Sequence, residues 1–408
     1  MLQEAAAVVI GSGALGSSVA FHLAKAGIVP VALVDKHAIA SQTSPRAAGL
    51  TSQIRRSELM TRLATMAVDK IKNFTVETGE EMIYHQSGSL RIARTAEHEQ
   101  QLQRDVALGQ KLGVDIDFVS LAKARQLMPF FEPAGVQAVT FVRGDLYLEP
   151  GQLPRGYARA TERLGGVLLP NTSVIALASE NGRIAKVFTD RGEIRAPIVV
   201  DAAGAWTRLV GGLAGVRIGA IATRHQLFIT HPIPGVESHQ PIARVIDCNV
   251  YIRPADGGLM LGGYESNPVQ FDMAKLPASF GMEDLPLDLS VLRRLADQVS
   301  DQFPIFRDAA VKEHRGGLPT MTADGEHIVG PLPEPRGLYV AGGCCVGGLA
   351  IAPIMGELLA EWIVSGKPPM DLAPLSPLRS AVHNTLEAEL LESCRRRYAC
   401  HYWPAGDS

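Results

Sequence analysis

Cysteine is scarce in this chain and shows no pattern. Its five residues, Cys248, Cys344, Cys345, Cys394 and Cys400, lack metal-type spacing, and adjacent Cys344 and Cys345 could not form an ordinary disulfide without strain. No metal centre is expected, and a reducing cytoplasm is the simplest compartment. Charge of one sign is lacking too. Lys and Arg number 39 against 42 Asp and Glu, which leaves nucleic acid and anionic lipid without an electrostatic hold. Long apolar runs are missing: residues 5–10 and 197–205 break at glycine or charge, too short for a membrane span. The opening Met1-Leu2-Gln3-Glu4 has no basic start of a secretory leader. Hydrophobic residues still make up 46% of 408, so a soluble, packed protein of two domains is predicted.

What the chain does have is glycine at the ends of strands. Ala7-Val8-Val9-Ile10 is a continuous apolar run, as a strand buried on both faces requires. It enters Gly11-Ser12-Gly13-Ala14-Leu15-Gly16 directly, and Leu15, Val19 and Leu23 then repeat at helical spacing up to Gly27. A second strand, Val31-Ala32-Leu33-Val34, ends at Asp35. In this setting Gly11 permits the tight turn, Gly13 lets a pyrophosphate approach the backbone, and Gly16 lets helix and strand touch. The helix start offers free N–H groups to phosphate. Asp35 stands where a carboxylate binds ribose hydroxyls and repels a 2′-phosphate, which disfavours NADP.

The loop Ser41-Gln42-Thr43-Ser44-Pro45-Arg46-Ala47-Ala48-Gly49-Leu50 suits a large flat ligand. Two later strands also open onto glycine: Ile198-Val199-Val200-Asp201 before Ala203-Gly204-Ala205-Trp206, and Leu338-Tyr339-Val340-Ala341 before Gly342-Gly343. Gly347-Gly348 and a helical run from Leu349 to Val364 follow; Pro353 would be tolerated only in its first turn. A nicotinamide cofactor needs one half-site or two adjacent ones. Three separated strand ends fit FAD better, with the last helix aimed at the N1–C2=O edge of the flavin. Ordinary α/β turns would share the same spacing. The predicted FAD contacts are Gly11, Gly13, Ala14, Leu15, Gly16, Asp35 and Lys36 at the first turn and Ser44, Arg46, Ala47, Ala48, Gly49 and Leu50 in the loop. Further along they are Val174, Ala203, Gly204, Trp206, Gly317, Gly343, Val346, Gly347, Gly348 and Leu349.

Taken together, these motifs resemble the D-amino-acid-oxidase superfamily of FAD enzymes. Residues 44–50, Arg224-His225-Gln226-Leu227-Phe228-Ile229-Thr230, Tyr251-Ile252-Arg253-Pro254 and Gly262-Gly263-Tyr264-Glu265 are similar to its dimethylglycine and sarcosine dehydrogenase branch. So are Trp362-Ile363-Val364, Pro368-Pro369-Met370-Asp371-Leu372, and Cys394-Arg395-Arg396-Arg397-Tyr398 with His401-Tyr402. The resemblance implies an α/β fold: a Rossmann-type FAD-binding domain of the glutathione-reductase kind, with a discontinuous α+β mixed-sheet substrate domain. It places residues 1–55, 145–215 and 310–370 in the FAD domain, 56–144 and 216–309 in the substrate domain, and 371–408 in a tail with an amphipathic helix. Predicted strands of the substrate domain are 226–230, 243–253 and 259–264; residues 275–286 read as loop and 289–299 as helix.

Three departures from the branch matter. Its flavin-linking histidine is matched by Arg46, and the linking cysteine of monomeric sarcosine oxidases by glycine within Arg315-Gly316-Gly317-Leu318-Pro319, so the FAD is predicted to be non-covalent. The lysine that those oxidases keep beside the flavin is matched by Ala350, which leaves the electron acceptor open between oxygen and a carrier protein. No folate-binding domain follows the oxidase-like region, so formaldehyde from an N-demethylation would leave free or pass to another protein.

By resemblance, His225 and Tyr251 form a hydrogen-bonded catalytic pair facing the flavin. A histidine of near-neutral pKa there would favour the deprotonated amine, and the phenol would orient it. The substrate carboxylate calls for arginine. Arg55, just past the flavin loop, matches a substrate arginine of monomeric sarcosine oxidases; Arg253, on the sheet face of Tyr251, is the second choice. His327 reads as structural. The expected reaction is oxidation of a small N-methylated or secondary amino acid by hydride transfer to flavin N5, giving an imine that hydrolyses to aldehyde and amine. Deaminating oxidation of an amino acid or cyclic imino acid is one alternative; a non-catalytic flavoprotein or subunit of an electron-transfer complex is another. The oligomeric state is left open.

Overall fold

Two large sheets organise the chain. The computed structural model describes residues 2–402; Met1 of the predicted first segment and residues 403–408 of the predicted tail lie outside the described residues. Strand Ala7–Ile10 is fully buried because parallel neighbours, Val31–Val34 and Val199–Asp201, flank it on both sides. The six-stranded sheet runs Ile328–Pro331, Leu338–Gly342, Val199–Asp201, Ala7–Ile10, Val31–Val34, Val167–Leu169. Its one antiparallel pairing is at the Ile328–Pro331 edge. Helices Ala14–Lys25 and Gly348–Ser365 cover it, with Val19, Leu23, Ile351 and Met355 in one core.

The second sheet has eight strands, ordered Val311–Gly317, His225–Thr230, Gly258–Gly263, Val250–Ala255, Ile242–Val245, Ser89–Ala93, Ala138–Val142, Ile116–Val119. The single strand expected over 243–253 is two: Asn249 turns with φ +57°, a left-handed conformation that asparagine tolerates, and the chain reverses into an antiparallel pair. The strands expected over 226–230 and 259–264 and the helix over 289–299 are found at His225–Thr230, Gly258–Gly263 and Leu289–Gln298.

The predicted division of the chain needs three corrections. Helix Glu58–Lys72 lies on the nucleotide side, not with the substrate sheet, since Met60, Leu63 and Ala67 share a core with Val9 and Leu33. Strand Val311–Gly317 leaves the predicted FAD segment and pairs with His225–Thr230. The tail is no appendage: Leu372 and Leu375 join the nucleotide core, while Leu390, Cys394 and Tyr398, from helix Glu387–Ala399, pack with Tyr251 and Met260.

The long apolar helix begins at Gly348, so Pro353 lies inside it, past the first turn, where it deletes the hydrogen bond to the Leu349 carbonyl. By length and composition this helix could also cross a membrane, which the sequence reading did not foresee. Here it is packed against Ala14–Lys25 and Glu58–Lys72 as a core element. Among the described residues, one group of potential metal ligands, His22, Glu77 and Glu357, comes together. Lys25 and Lys70 already donate to Glu77 at 2.7 and 2.9 Å, and against its burial these bonds and that of His22 hold the carboxyl far below its usual range.

Candidate active site

Two cavities meet at Thr43, Ala47, Pro319, Val346 and Leu349. The first, of 690 Å³, opens at the end of strand Ala7–Ile10. Gly11 takes φ +102°, and a Cβ there would stand 2.4 Å from the Ala202 carbonyl oxygen. A Cβ on Gly16 would stand 1.8 Å from the Gly11 carbonyl oxygen, so the third glycine serves the helix–strand contact. Helix Ala14–Lys25 has no side-chain cap at Gly13, and its Ala14 N–H donates to Ser44 Oγ at 2.9 Å. That leaves a positive helix end facing the cavity. Asp35 is fixed from two sides, accepting from Ser12 N–H at 2.8 Å, Ser12 Oγ at 2.6 Å and His37 N–H at 2.8 Å. Trp206 walls the opposite side, with the Lys36 ammonium 4.4 Å from its ring centroid. This cradle, shaped by absent Cβ atoms, an uncapped helix and an anchored acid, fits the ADP part of FAD.

Of the predicted FAD contacts, Gly11, Gly13, Ala14, Leu15, Asp35, Lys36, Ser44, Ala47, Val174, Ala203, Gly204, Trp206, Val346, Gly348 and Leu349 line this cavity. Arg46, Ala48, Gly49, Leu50, Gly317 and Gly347 line the second instead. Gly16 and Gly343 reach neither wall. Gly343 turns the chain at φ +58° beneath Ile328 and Thr322. Arg46 grips its own loop, donating to the Gln42 carbonyl at 2.7 Å and to the Ser41 carbonyl.

The second cavity, of 480 Å³, is lined by His225 and Tyr251, the pair expected to be catalytic. His225 begins strand His225–Thr230 and Tyr251 lies in Val250–Ala255; between them runs Gly258–Gly263, whose Gly262 leaves room for the phenol, since a Cβ there would stand 2.2 Å from Tyr251 Oη. His225 Nε2 is hydrogen-bonded to Tyr251 Oη at 2.9 Å and Nδ1 to Tyr398 Oη at 2.8 Å. In a neutral ring one nitrogen donates and the other accepts, so the two phenols hold opposite roles. Burial lowers the His225 pKa to about 4. The near-neutral histidine expected from sequence is therefore corrected: the ring is neutral and weakly basic.

Arg55 reaches the same cavity, its Nε donating to the Ser52 carbonyl at 3.0 Å, and burial lowers its pKa. Arg253 does not reach it. At 1% exposure it donates to the carbonyls of Ala48 and Pro254, each at 2.7 Å, and stacks 4.6 Å from the Tyr147 centroid. It shares a sheet face with Tyr251, but its strand has already passed beneath the flavin loop, so the substrate role is withdrawn. His327 lines the cavity with neither ring nitrogen partnered among the described residues, and burial lowers its pKa to about 3.

Several wall residues had no assigned role. Tyr264 stacks on His401 with centroids 3.9 Å apart, Tyr402 packs edge-on against Tyr264, and Arg56 clamps this end of the chain by donating to the carbonyls of Cys400 and His401 at 3.0 and 2.9 Å. Arg91 and Arg244 complete the wall. A signal for these two existed: each is the lone charge in its strand, Ser89-Leu90-Arg91-Ile92-Ala93 and Ile242-Ala243-Arg244-Val245. Ala350 also faces this cavity, and no lysine lines it among the described residues.

Comparison with known proteins agrees with this geometry. Residues 6–362 match the family model described as DAO, FAD dependent oxidoreductase. The chain is 30% identical to human mitochondrial sarcosine dehydrogenase over 371 residues, 90% of this chain and 40% of that protein. It is 28% identical to the 4-methylaminobutanoate oxidase (formaldehyde-forming) of Paenarthrobacter nicotinovorans, over 97% of this chain and 48% of that one. The chain thus spans less than half the length of these relatives. Among solved structures, the L-proline dehydrogenase of P. horikoshii superposes with TM-score 0.84 at 25% identity, covering 93% of this chain and 98% of that chain.

Proposed function

The chain belongs to the FAD dependent oxidoreductase family, and from that premise we propose that it oxidises the C–N bond of a small N-methylated or secondary amino acid. The observation that carries this reading is the meeting, in one cavity beside the flavin loop, of the His225–Tyr251 pair and the Arg55 guanidinium. FAD, when bound, would supply a two-electron acceptor for the hydride that leaves the substrate carbon. Arg55 seats the carboxylate. The positive field of Arg55, Arg91 and Arg244 disfavours an ammonium ion, so the amine binds as its free base, its proton left with solvent water, and its lone pair is free to form the C=N bond. His225, held neutral and fixed between two phenols, orients that nitrogen rather than taking its proton outright. Water then adds to the imine, and an aldehyde and a shorter amine leave.

Arg46 stands in the flavin loop with its guanidinium on backbone carbonyls, which supports a non-covalent cofactor. Acid precipitation should leave yellow flavin in the supernatant, and a flavin that stays in the pellet would overturn this. Bleaching of the flavin band under anaerobic conditions tests the reaction. N-methyl amino acids are expected to bleach it and to yield formaldehyde. A cyclic imino acid is the second reading, favoured by the likeness to the L-proline dehydrogenase; faster bleaching by proline than by any N-methyl amino acid would establish it. No bleaching by any amine would refute both.

A further inference from the structure

The substrate cavity carries more positive charge than one carboxylate requires. Seven arginines line it against two acids, Asp105 and Glu326. Asp105 is committed to Arg91, 3.1 Å away, and burial favours the neutral form of Glu326. The sheet register arranges part of this charge. Tyr251 pairs with Arg244 across antiparallel strands, and Arg244 pairs with Arg91 across parallel ones. Residues paired in register share a face, so Tyr251, Arg244 and Arg91 form a row with steps of about 4.8 Å. The row starts at the catalytic pair and leads to helix Ala96–Lys111, which bears Asp105.

Arg244 is the unusual member. It is 2% exposed, yet its Nη1 has no hydrogen-bond partner among the described residues, the nearest carboxylate oxygen being Asp145 Oδ2 at 3.6 Å. Asp145 is itself occupied by the Ser89 hydroxyl and by the Gln53 N–H at 2.8 Å. A buried guanidinium with donors left over is costly unless an anion completes it. Asp145 supplies a first counter-charge and the Thr51 carbonyl takes Nη2, so an anionic ligand group at this wall of the cavity would complete a partly filled set.

We propose that the substrate carries a second anionic group, a distal carboxylate roughly 5–10 Å from its amine, seated on Arg244 and Arg91. The amine end rests on the function proposed above; the distal subsite rests on the arginine row.

The experiment separates the two. Holoenzyme is titrated with adipate and with hexanoate, which match in length but differ by one carboxylate, and the perturbation of the flavin band gives each dissociation constant. Adipate is expected to bind at least about tenfold more tightly. Arg244→Gln should bring the ratio close to one at unchanged flavin content. If that variant does not fold, the pair Arg91→Gln with Asp105→Asn answers the same question without stranding a buried carboxylate. Equal binding of the two acids, or a ratio that survives both variants, overturns the subsite. N-methylglutamate and sarcosine are then compared in anaerobic bleaching. Bleaching by neither, with the adipate preference intact, overturns oxidation of N-methyl amino acids and leaves the anion subsite standing. Stronger binding of N-methylglutamate, lost in Arg244→Gln, supports both.

Discussion

The two cavities share five wall residues and are otherwise built by opposite means. The nucleotide cavity is a product of backbone: strands stop, glycines turn, and the uncapped end of Ala14–Lys25 faces the space, with Asp35 and Lys36 as the only charged residues in its wall among those described. Negative charge there meets peptide dipoles. The substrate cavity is a product of side chains drawn from five strands, four helices, the flavin loop and the last described turn, and negative charge there meets arginine. A pocket made of backbone fails when an atom is added, and a pocket made of side chains fails when atoms are removed.

The largest effect should therefore come from adding a side chain at the first turn. Gly16→Val forces carbon into the Gly11 carbonyl, and a loss beyond about 4 kcal/mol is expected, with protein that purifies colourless. A yellow, stable Gly16→Val protein would break the contrast at its strongest point. Next comes truncation in the other cavity. His225→Ala should keep its flavin yet slow anaerobic reduction by about 10²–10³-fold; an unchanged rate would remove His225 from the chemistry. Arg55→Met should weaken binding of an amino-acid substrate about 10–100-fold, read as the half-saturating concentration in the same reduction assay. A smaller effect on reduction than on affinity would separate seating from chemistry.

The fourth effect is spread over pH. Burial keeps His225 neutral in the fold, with its pKa lowered to about 4, whereas the unfolded chain takes up a proton near 6.5. Stability held above pH 6.5 is thus lost as pH falls toward 4, on the order of 3 kcal/mol from this group. Burial acts on His327 in the same direction, to about 3. Urea unfolding at pH 7, 5.5 and 4.5 should show the decline, and His225→Gln should flatten it; parallel curves for the two proteins would contradict the assignment.

The nucleotide side was legible because each of its features has a local steric cause. Gly11, Gly13 and Asp35 sit within one strand–turn–helix–strand, and their spacing alone is enough to place them around one cavity. The substrate side depends on sheet register, which no local pattern declares. Arg91 meets Arg244 only because strands more than 140 residues apart pair in parallel (Arg91 with Arg244), and Tyr398 meets His225 only because the tail helix folds back. Arg253 shows the same blindness in reverse. Alternation along the strand put it on the face of Tyr251, and only the fold reveals that this face runs on beneath Ala48.

In the six-stranded sheet, Val8 pairs with Val199 and Asp201 with Val340. No stretch of the chain can complete this sheet alone, and the two units interleave so thoroughly that neither could be cut out and expressed by itself. Such distant pairings make for slow folding, with sheet edges open to aggregation while they wait. Yield during refolding should therefore respond to dilution and to temperature more sharply than the stability of the finished protein would suggest.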